Sequence, residues 1–322
     1  MCIALISTAH PDYPLIIINN RDEFLRRPTS TVDWWPEPAS HVLGSRDLAR
    51  PAQGTWMGVT KHGHIAVLTN YREDIPADAV GTCSRGLIVR NWLTLPPDQR
   101  HCTQKFVEDM ITSSAARNVG GFSLVCGKIH EPLAIMSNRV SHVDGITWVA
   151  KQQGETVGLS NTSFDDRSWK KILLGEKLMK EAIEEHAKAQ EGEEELIQRL
   201  LHVLSTDTLP RLKEGASLET YIPLLRESIF VPVIGAQNEE NRAADEVAAG
   251  DVPDKVTVAA NGSTPPEQQC YMTGLYGTQK QTVVLVDKNR RVKYFERTLY
   301  DNNAKPIPVG KGDRSFEFVV EK

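Results

Sequence analysis

Residues 1–23 read MCIALISTAHPDYPLIIINNRDE, and this stretch decides the fold. Two short apolar runs, at residues 3–9 and 15–20, flank a turn at residues 10–14 that is rich in proline and aspartate. Apolar runs separated by turn-forming residues predict a β-hairpin. Because both runs are almost continuously apolar, we expect strands that are covered on both faces.

The rest of the chain extends this pattern into a single layered domain. Strand patterns continue to residue 70, helical patterns cover residues 84–92 and the segment around 106–111, and strand patterns return at 122–159. Two further helical stretches occupy about 165–204, and strand patterns recur at 271–297. This order favours an α+β fold with mainly antiparallel sheets and helices outside them. We therefore expect one domain over residues 1–322, with a sheet-on-sheet core.

The charge of the chain is concentrated in one segment. The chain has 37 basic and 42 acidic side chains, and residues 237–267 hold seven acidic against two basic residues. This segment has no aromatic residue, so we predict a flexible acidic insertion at 237–267. The remaining charge is balanced, which argues against a nucleic-acid partner.

The cysteines and the N-terminus indicate a reducing compartment. The five cysteines are widely spaced and form no CxxC pair, so we expect neither a disulfide framework nor a zinc site. The first residues do not resemble a signal peptide, and no apolar run is long enough for a transmembrane segment. We predict a cytoplasmic protein, with mitochondria or Golgi and endoplasmic-reticulum membranes as the alternatives.

Cys2 is the first candidate for chemistry. Removal of Met1 would expose a cysteine with a free α-amine, which unites a nucleophile and a base in one residue. An α-amine has a pKa of about 7.7–8.0, so much of it is unprotonated near neutral pH. The alternative is that Cys2 is only a small apolar strand residue.

A polar cluster follows the second apolar run. Hairpin arithmetic with a three-residue turn places Cys2 opposite Asn20, with Asp22 on the same face, whereas a register one residue different places Arg21 beside the thiol. In either register the cluster lies close to the N-terminus. Its carboxylate would hold the α-amine, and its guanidinium would lower the pKa of the thiol.

Other candidates are single residues. Asn70 and Asn161 follow predicted strands, and their amides suit an oxyanion, although such residues are more often turn or cap residues. The side chains of Trp34 and Trp35 could line a ligand groove or, equally, pack within their own loop. His62 and His64 lack a third ligand, so no metal site is predicted. We expect a solvated helix face for the basic residues Arg167, Lys170, Lys171, Lys177 and Lys180.

Several ordered blocks resemble the transport and Golgi organisation protein 2 family, which is named for its NRDE motif. They include Asn20-Arg21-Asp22-Glu23, Gly54-Thr-Trp-Met-Gly-Val, Leu68-Thr69-Asn70-Tyr71-Arg72, Ser84-Arg85-Gly86, Gly158-Leu159-Ser160-Asn161 and Tyr276-Gly277-Thr278. The resemblance covers nearly the whole chain apart from the acidic insertion. The family is in turn similar to cysteine N-terminal-nucleophile hydrolases, which implies a four-layer α/β/β/α sandwich.

The resemblance also implies roles for residues. Cys2 would be the nucleophile, Arg21 and Asp22 its supporting pair, and Asn70 and Asn161 oxyanion or substrate contacts. In the hydrolases the arginine and aspartate are not adjacent, whereas Arg21 and Asp22 here should point to opposite faces. Ile229 occupies the place expected for a later active-site arginine.

Two classes of function are implied. The first is a cysteine hydrolase that cleaves an amide or thioester of a small acylated metabolite and requires no cofactor. The second, from the family's association with lipid, acyl-coenzyme A and haem homeostasis, is a non-catalytic carrier with acyl-coenzyme A or haem as cargo, or a Golgi and endoplasmic-reticulum organisation factor. In the carrier, Asn20 and Glu23 would bind polar groups of the ligand. Trp34, Trp35 or Tyr71 would pack against the ligand.

Overall fold

A computed structural model describes residues 1–73, 84–96, 103–112, 119–139, 145–213, 216–235 and 274–321. The predicted acidic insertion at 237–267 lies outside these residues, as do Cys83, Cys102 and Cys270. Thirteen strands are present in the described part: β1 Ile3–Ser7, β2 Leu15–Phe24, β3 Asp33–Trp34, β4 Val42–Gly44, β5 Met57–Thr60, β6 His64–Asn70, β7 Phe122–Lys128, β8 Leu133–Ser137, β9 Thr147–Val149, β10 Thr156–Leu159, β11 Tyr276–Val286, β12 Arg291–Thr298 and β13 Asp313–Val319.

The strands form two antiparallel sheets. The first has six strands in the order β10-β1-β2-β11-β12-β13, and the second has seven in the order β3-β4-β5-β6-β7-β8-β9. The described helices are α1 Gly86–Leu93, α2 Thr103–Thr112, α3 Lys170–Ala189, α4 Glu193–Leu204 and α5 Leu218–Tyr221, which continues into a 3₁₀ turn at Ile222–Leu224.

Three buried clusters of apolar side chains define the layers. One joins the two sheets, with Ile6 and Ile17 of the first sheet packed among residues such as Val59 and Val67 of the second. Another places α3 and α4 on the outer face of the first sheet, and a third places α1 and α2 on the outer face of the second. The predicted four-layer α/β/β/α arrangement with mainly antiparallel sheets is therefore confirmed.

The strand boundaries differ from the sequence prediction in two places that affect the site. The second strand does not end at Asn20 but runs to Phe24, so residues 20–22 are buried within the sheet. The segment at 147–159 forms two strands in different sheets, since β9 pairs with β8 and β10 pairs with β1. In consequence β1 lies between β10 and β2, and Met1 and Cys2, which precede it, have a strand on each side.

The register of the first hairpin is the second of the two that the sequence allowed. Ile3 pairs with Asn20 and Leu5 with Ile18, so Arg21, and not Asn20, follows in register opposite Cys2. On its other side β2 pairs with β11, and a bulge there leaves Gln279 without a partner between the pairs Thr278–Asp22 and Lys280–Arg21. A bulge bends the strand and redirects side chains. This irregularity lies directly beside the polar cluster.

No helix in the described ranges has the length and apolar character needed to cross a membrane.

Candidate active site

A cleft of about 530 Å³ opens where β1 begins, between the two sheets and the segment that contains α5. Seven of the residues proposed from the sequence line it: Cys2, Arg21, Asp22, Glu23, Asn70, Tyr71 and Asn161. The N-terminus and residues 21–23 of β2 therefore lie together, as the hairpin argument predicted, and the end of β6 lines the same cleft. A concave site with convergent polar groups is the usual setting for ligand binding.

Asp22 organises the floor of the cleft. Its Oδ1 accepts a hydrogen bond of 2.7 Å from the hydroxyl of Thr278. Its Oδ2 lies 3.2 Å from the α-nitrogen of Met1 and 3.8 Å from Nζ of Lys171, both at ion-pair distance. The side chains of Asp22 and Lys171 are fully buried. One carboxylate is therefore shared by two cations.

Lys171 and Tyr276 complete this floor. Nζ of Lys171 donates a hydrogen bond to the carbonyl oxygen of Met1. The α-nitrogen of Met1 donates to the hydroxyl of Tyr276, which donates in turn to the backbone carbonyl of Asp22 at 3.1 Å. The prediction that Lys171 belongs to a solvated helix face is wrong, because the first turn of α3 points this side chain inward.

The electrostatics of the floor favour uncharged groups. Burial lowers the pKa of the Met1 α-amine, and the nearby charge of Lys171 lowers it further, while Asp22 opposes both effects. Burial also raises the pKa of the Cys2 thiol, and the N-terminal ammonium and Arg21 only partly offset this. The expected lowering of the thiol pKa by Arg21 is therefore outweighed by desolvation. Burial therefore opposes both the thiolate form of Cys2 and the ammonium form of the Met1 amine.

The thiol is held near the cluster by the backbone. Sγ of Cys2 donates a weak hydrogen bond of 3.7 Å to the carbonyl oxygen of Asp22, and the Cys2 carbonyl accepts one of 2.6 Å from the hydroxyl of Ser160. Ser160 follows β10, so the strand on the other side of β1 fixes the position of Cys2. Both neighbours of β1 thus contribute to the placement of the thiol.

Arg21 is fixed by the bulged residue of β11. Its guanidinium donates to the side-chain oxygen of Gln279 and lies 4.5 Å from the ring centre of Trp56, which directly precedes β5 of the second sheet. Nε2 of Gln279 donates to the carbonyls of Leu25 and Arg27, at 3.2 and 3.3 Å. The amide therefore anchors Arg21 to the loop after β2.

Arg21 and Asp22 point to opposite sides of the first sheet, as their adjacency predicted. Arg21 faces Trp56 beside β5 of the second sheet, whereas Asp22 faces Lys171 in the helical layer. Both still line the cleft because the cleft lies at the end of the sheet where β1 begins.

Asn70, Tyr71 and Asn161 form part of the opposite wall. Asn70 is the last residue of β6, and the backbone amide of Tyr71 donates to the carbonyl of Gly121 at 2.8 Å. The side-chain oxygen of Asn161 is buried, and it has no hydrogen-bond partner within the described ranges. Its carboxamide can therefore turn toward a ligand without breaking a hydrogen bond of that oxygen.

Three of the proposed ligand contacts lie elsewhere. Nδ2 of Asn20 donates to the carbonyls of Leu204 and Ile229, at 2.8 and 2.9 Å, so this amide ties β2 to the helical layer. Trp34 packs at 5.0 Å against the ring of Phe318, beneath the ammonium of Lys61. Trp35 is buried, and its Nε1 donates to the carbonyl of Gly44 at 2.9 Å.

The remaining wall of the cleft is apolar. Leu218, Ile222 and Leu225 line it, together with the ring of Tyr276. The side chain of Met1 packs here, against a cluster that contains the buried residues Leu209, Leu225, Val231 and Ile234. Met1 therefore occupies an apolar site directly next to Cys2.

Sequence reasoning did not assign Lys171, Tyr276, Gln279 or Arg85 to the site, although three of these residues left a signal in the sequence. Lys171, Gly175 and Met179 are spaced by four residues and are all buried on α3, which is the spacing of one helix face. Tyr276 and Arg85 belong to blocks that carried the family resemblance. Gln279 left none, because a bulge depends on the pairing of two distant strands.

Within the described ranges, no three His, Cys, Asp or Glu side chains converge in a way that would hold a metal ion.

Comparison with known proteins places this site in a family. The family model described as Transport and Golgi organisation 2 matches residues 1–301. The human Transport and Golgi organization protein 2 homolog is 26% identical over 317 residues, which cover 96% of this chain and 94% of the human protein. The mouse homolog is 26% identical and covers 90% and 88% of the two chains, and the Bos taurus homolog is 28% identical and covers 89% and 87%.

Solved structures give weaker matches. An N-acylethanolamine-hydrolyzing acid amidase ortholog from Caenorhabditis elegans covers 70% of this chain and 98% of its own, at 12% identity and a TM-score of 0.41. Penicillin V acylase from Agrobacterium tumefaciens covers 99% of this chain and 86% of its own, at 13% identity and a TM-score of 0.37. With TM-scores below 0.5, the layer assignment rests on the strand pairing and core packing of the chain itself.

Proposed function

The chain belongs to the Transport and Golgi organisation 2 family, and on that premise we propose that its cleft is the active site of a cysteine hydrolase for an amide or thioester of a small acylated metabolite. The observation that carries the proposal is the convergence of the Cys2 thiol, the N-terminal amine and the buried Asp22–Lys171 pair at one end of the cleft.

The proposal requires removal of Met1, which would transfer the free α-amine to Cys2. The thiol would then attack the substrate carbonyl, and the amine would accept the thiol proton. The C–N or C–S bond of the tetrahedral intermediate would break, and the leaving group would take that proton. Water would hydrolyse the resulting acyl-thioester and release a carboxylic acid. In the structure burial and Lys171 lower the pKa of the Met1 α-amine, and we propose that they act in the same way on the α-amine of Cys2.

The carbonyl oxygen of the substrate needs hydrogen-bond donors as it becomes negative. The carboxamides of Asn70 and Asn161 line the wall opposite Cys2 and are the donors that we propose. In the structure Asp22 and Lys171 contact the α-amine and the carbonyl of Met1, one residue ahead of the amine that the mechanism uses. We propose that they act as positioning residues, which hold the α-amine of Cys2 once Met1 is removed.

The place of Met1 suggests the acyl group of the substrate. The Met1 side chain lies among Leu209, Leu225 and Val231, next to the thiol. Once Met1 is removed, this apolar site is open to the acyl half of a substrate, whose burial would contribute about 0.8 kcal/mol per methylene. We propose an unbranched aliphatic acyl chain as the occupant.

The second candidate function is a non-catalytic carrier with acyl-coenzyme A or haem as cargo. The same combination of an apolar wall and several arginines in the cleft supports it. The carrier needs no thiol, so the two functions make opposite predictions for substitution of Cys2.

The test is hydrolysis of a series of decanoyl amides and thioesters by protein purified without an N-terminal fusion. Intact-mass analysis should show loss of Met1 and, when the reaction is quenched early, a decanoyl adduct on the N-terminal peptide. Cys2→Ala should reduce turnover by at least 1,000-fold and abolish the adduct. Cys126→Ala is the matched control, because Cys126 is a buried free cysteine of β7 outside the cleft.

Retention of Met1 in fully active protein would overturn the mechanism, since the α-amine would then belong to the wrong residue. Tight binding of decanoyl compounds that is equal in the wild type and in Cys2→Ala, with no turnover in either, would favour the carrier.

A further inference from the structure

The acidic side chains that line the cleft all have cationic partners. Asp22 is shared by the N-terminus and Lys171, and Asp47 lies 2.7 Å from the guanidinium of Arg27. Glu23 lies 3.8 Å from Arg27, and Glu73 pairs with Arg139. No lining carboxylate in the described ranges is therefore left to neutralise another cation.

Three further arginines line the same cleft. Nη1 of Arg85 donates to the carbonyl of Gly121 at 3.1 Å, and Nη1 of Arg72 donates to the carbonyl of Ile222 at 3.3 Å. Within the part of the chain that the structure describes, Arg50, Arg72 and Arg85 have no carboxylate partner. Each is half-buried and keeps guanidinium donors for a ligand.

The backbone adds to this positive potential. Ser84, Arg85 and Gly86 line the cleft, and α1 begins at Gly86. The amides of Leu87 and Ile88 donate to the carbonyls of Ser84 and Arg85, so α1 contributes through the partial positive charge of its N-terminus, which favours an anion in front of it. The protein as a whole has a net charge of −5, so the excess of cations in the cleft is local.

Arg85 lies in surroundings that oppose its positive charge. Burial lowers the pKa of Arg85 to about 10, and the neighbouring charges of Arg27 and Arg50 lower it as well. Glu23 and Cys2 are the nearby groups that favour its cation. An anion bound here would relieve this repulsion, and it would lie on the same side of the cleft as the thiol.

We propose that Arg50, Arg72 and Arg85, with the N-terminus of α1, bind an anionic group on the leaving half of the substrate. The substrate is then an amphipathic conjugate, with its acyl chain in the Met1 site and its carboxylate or phosphate on the arginines. This inference rests on the proposed function for the orientation of the substrate, whereas the anion site itself depends only on the three arginines.

The test measures binding, so that its outcome is independent of turnover. Cys2→Ala protein is titrated calorimetrically with two matched pairs, N-decanoylglycine against N-decanoylglycinamide, and N-decanoyl phosphoethanolamine against N-decanoylethanolamine. Each pair differs in one anionic group. At least one anionic member should bind tenfold or more tightly than its neutral partner, and this ratio should fall as salt is raised from 50 to 500 mM. The pair with the larger ratio assigns carboxylate or phosphate.

Arg85→Gln and Arg72→Gln in the same protein should each reduce the ratio several-fold with little effect on the neutral ligands. Arg90→Gln is the matched control, because Arg90 is an exposed residue of α1 whose guanidinium contacts Ala52. Equal affinity for the charged and neutral members of both pairs overturns the proposal, and so does a ratio that Arg50→Gln, Arg72→Gln and Arg85→Gln all leave unchanged. A tenfold ratio in protein that hydrolyses none of these compounds would uphold the anion site and count against the hydrolase.

Discussion

Lys171 is the residue whose role the structure changes most. It is a fully buried cation that shares Asp22 with the N-terminal amine. Burial lowers the pKa of Lys171, and Asp22 opposes this and keeps the cation in place. Because two positive groups compete for one carboxylate, neither is as strongly stabilised as it would be alone. For the amine, this competition is useful, since only the unprotonated form can accept a proton.

Replacement of Lys171 should therefore move the pH dependence of the hydrolase. An amine acts as a base only above its pKa, so activity falls as the pH drops through that pKa. Lys171→Met leaves Asp22 to the amine alone and raises the amine pKa, and the acid limb of kcat/KM should shift upward by about one pH unit. Lys171→Arg keeps the charge and should keep the limb within a few tenths of a unit of the wild type. A uniform loss of activity with an unshifted limb would mean that Lys171 is only structural.

Among single residues, the sequence predicted those whose chemical type and position near the N-terminus both indicate a site. Cys2, Arg21 and Asp22 could be proposed because hairpin pairing is local and brings residues 2 and 20–23 together in either register. Lys171 and Tyr276 meet the same site from 170 and 275 residues away. Such contacts depend on how the helical layer packs against the sheet. The hydrophobic periodicity of a single segment gives no information about that packing.

At the scale of secondary-structure elements, the bulge in β11 orients the side chain of Arg21 in the neighbouring strand β2. Gln279 lies between two ladder pairs, and its amide joins Arg21 to the loop after β2. The other contact described for the buried Arg21 guanidinium is with the ring of Trp56. Removing the amide would leave a buried charge poorly satisfied, which costs about 1–3 kcal/mol.

Gln279→Ala should thus lower the free energy of unfolding by about 1–3 kcal/mol and also reduce kcat/KM by about tenfold or more, because Arg21 loses its anchor beside the thiol. Gln281→Ala is the matched control. Gln281 is a buried glutamine of the same strand, and its amide donates to Ser205 at 3.2 Å on the helical side of the sheet. Urea denaturation should show a loss for both variants, whereas only Gln279→Ala should affect kcat/KM. Equal kinetic effects would refute a specific role for the bulge.

For the molecule as a whole, a buried ion pair within the first sheet is hydrogen-bonded to the second sheet. Nζ of Lys280 in β11 lies 2.8 Å from Oε1 of Glu296 in β12, and this oxygen also accepts a hydrogen bond of 2.6 Å from Ser45, which follows β4 in the second sheet. Both charged side chains are about 1% exposed. Nζ of Lys280 also donates to the carbonyl of Ser30 at 3.4 Å, so these polar contacts between the sheets add to their apolar packing.

Breaking this pair should destabilise the protein more than replacing it. Glu296→Gln leaves Lys280 buried without its counter-charge, and it should lower the free energy of unfolding by about 3–5 kcal/mol. The double substitution Lys280→Met with Glu296→Leu removes both charges and should cost clearly less. Urea denaturation of the two variants and the wild type checks the order. A double variant that is less stable than Glu296→Gln would contradict this account.

The layered architecture was predictable because it follows from the order of apolar and amphipathic segments along the chain. Continuous apolar runs at 3–9 and 15–20 indicated strands covered on both faces, and the helices α3 and α4 cover one of those faces as expected. The allocation of strands to sheets was not predictable. β9 and β10 are separated by six residues yet lie at the edges of different sheets, because the chain crosses between layers at that point.

The position of β1 has a practical consequence for handling the protein. β1 lies between β10 and β2, so its first residues are enclosed on both sides, and Met1 already occupies part of the cleft. Residues fused ahead of Met1 would have to leave through that cleft and would block it. The other end of the described chain follows β13, an edge strand, and is exposed at Glu321. Affinity tags and fluorescent reporters therefore belong at the carboxyl end.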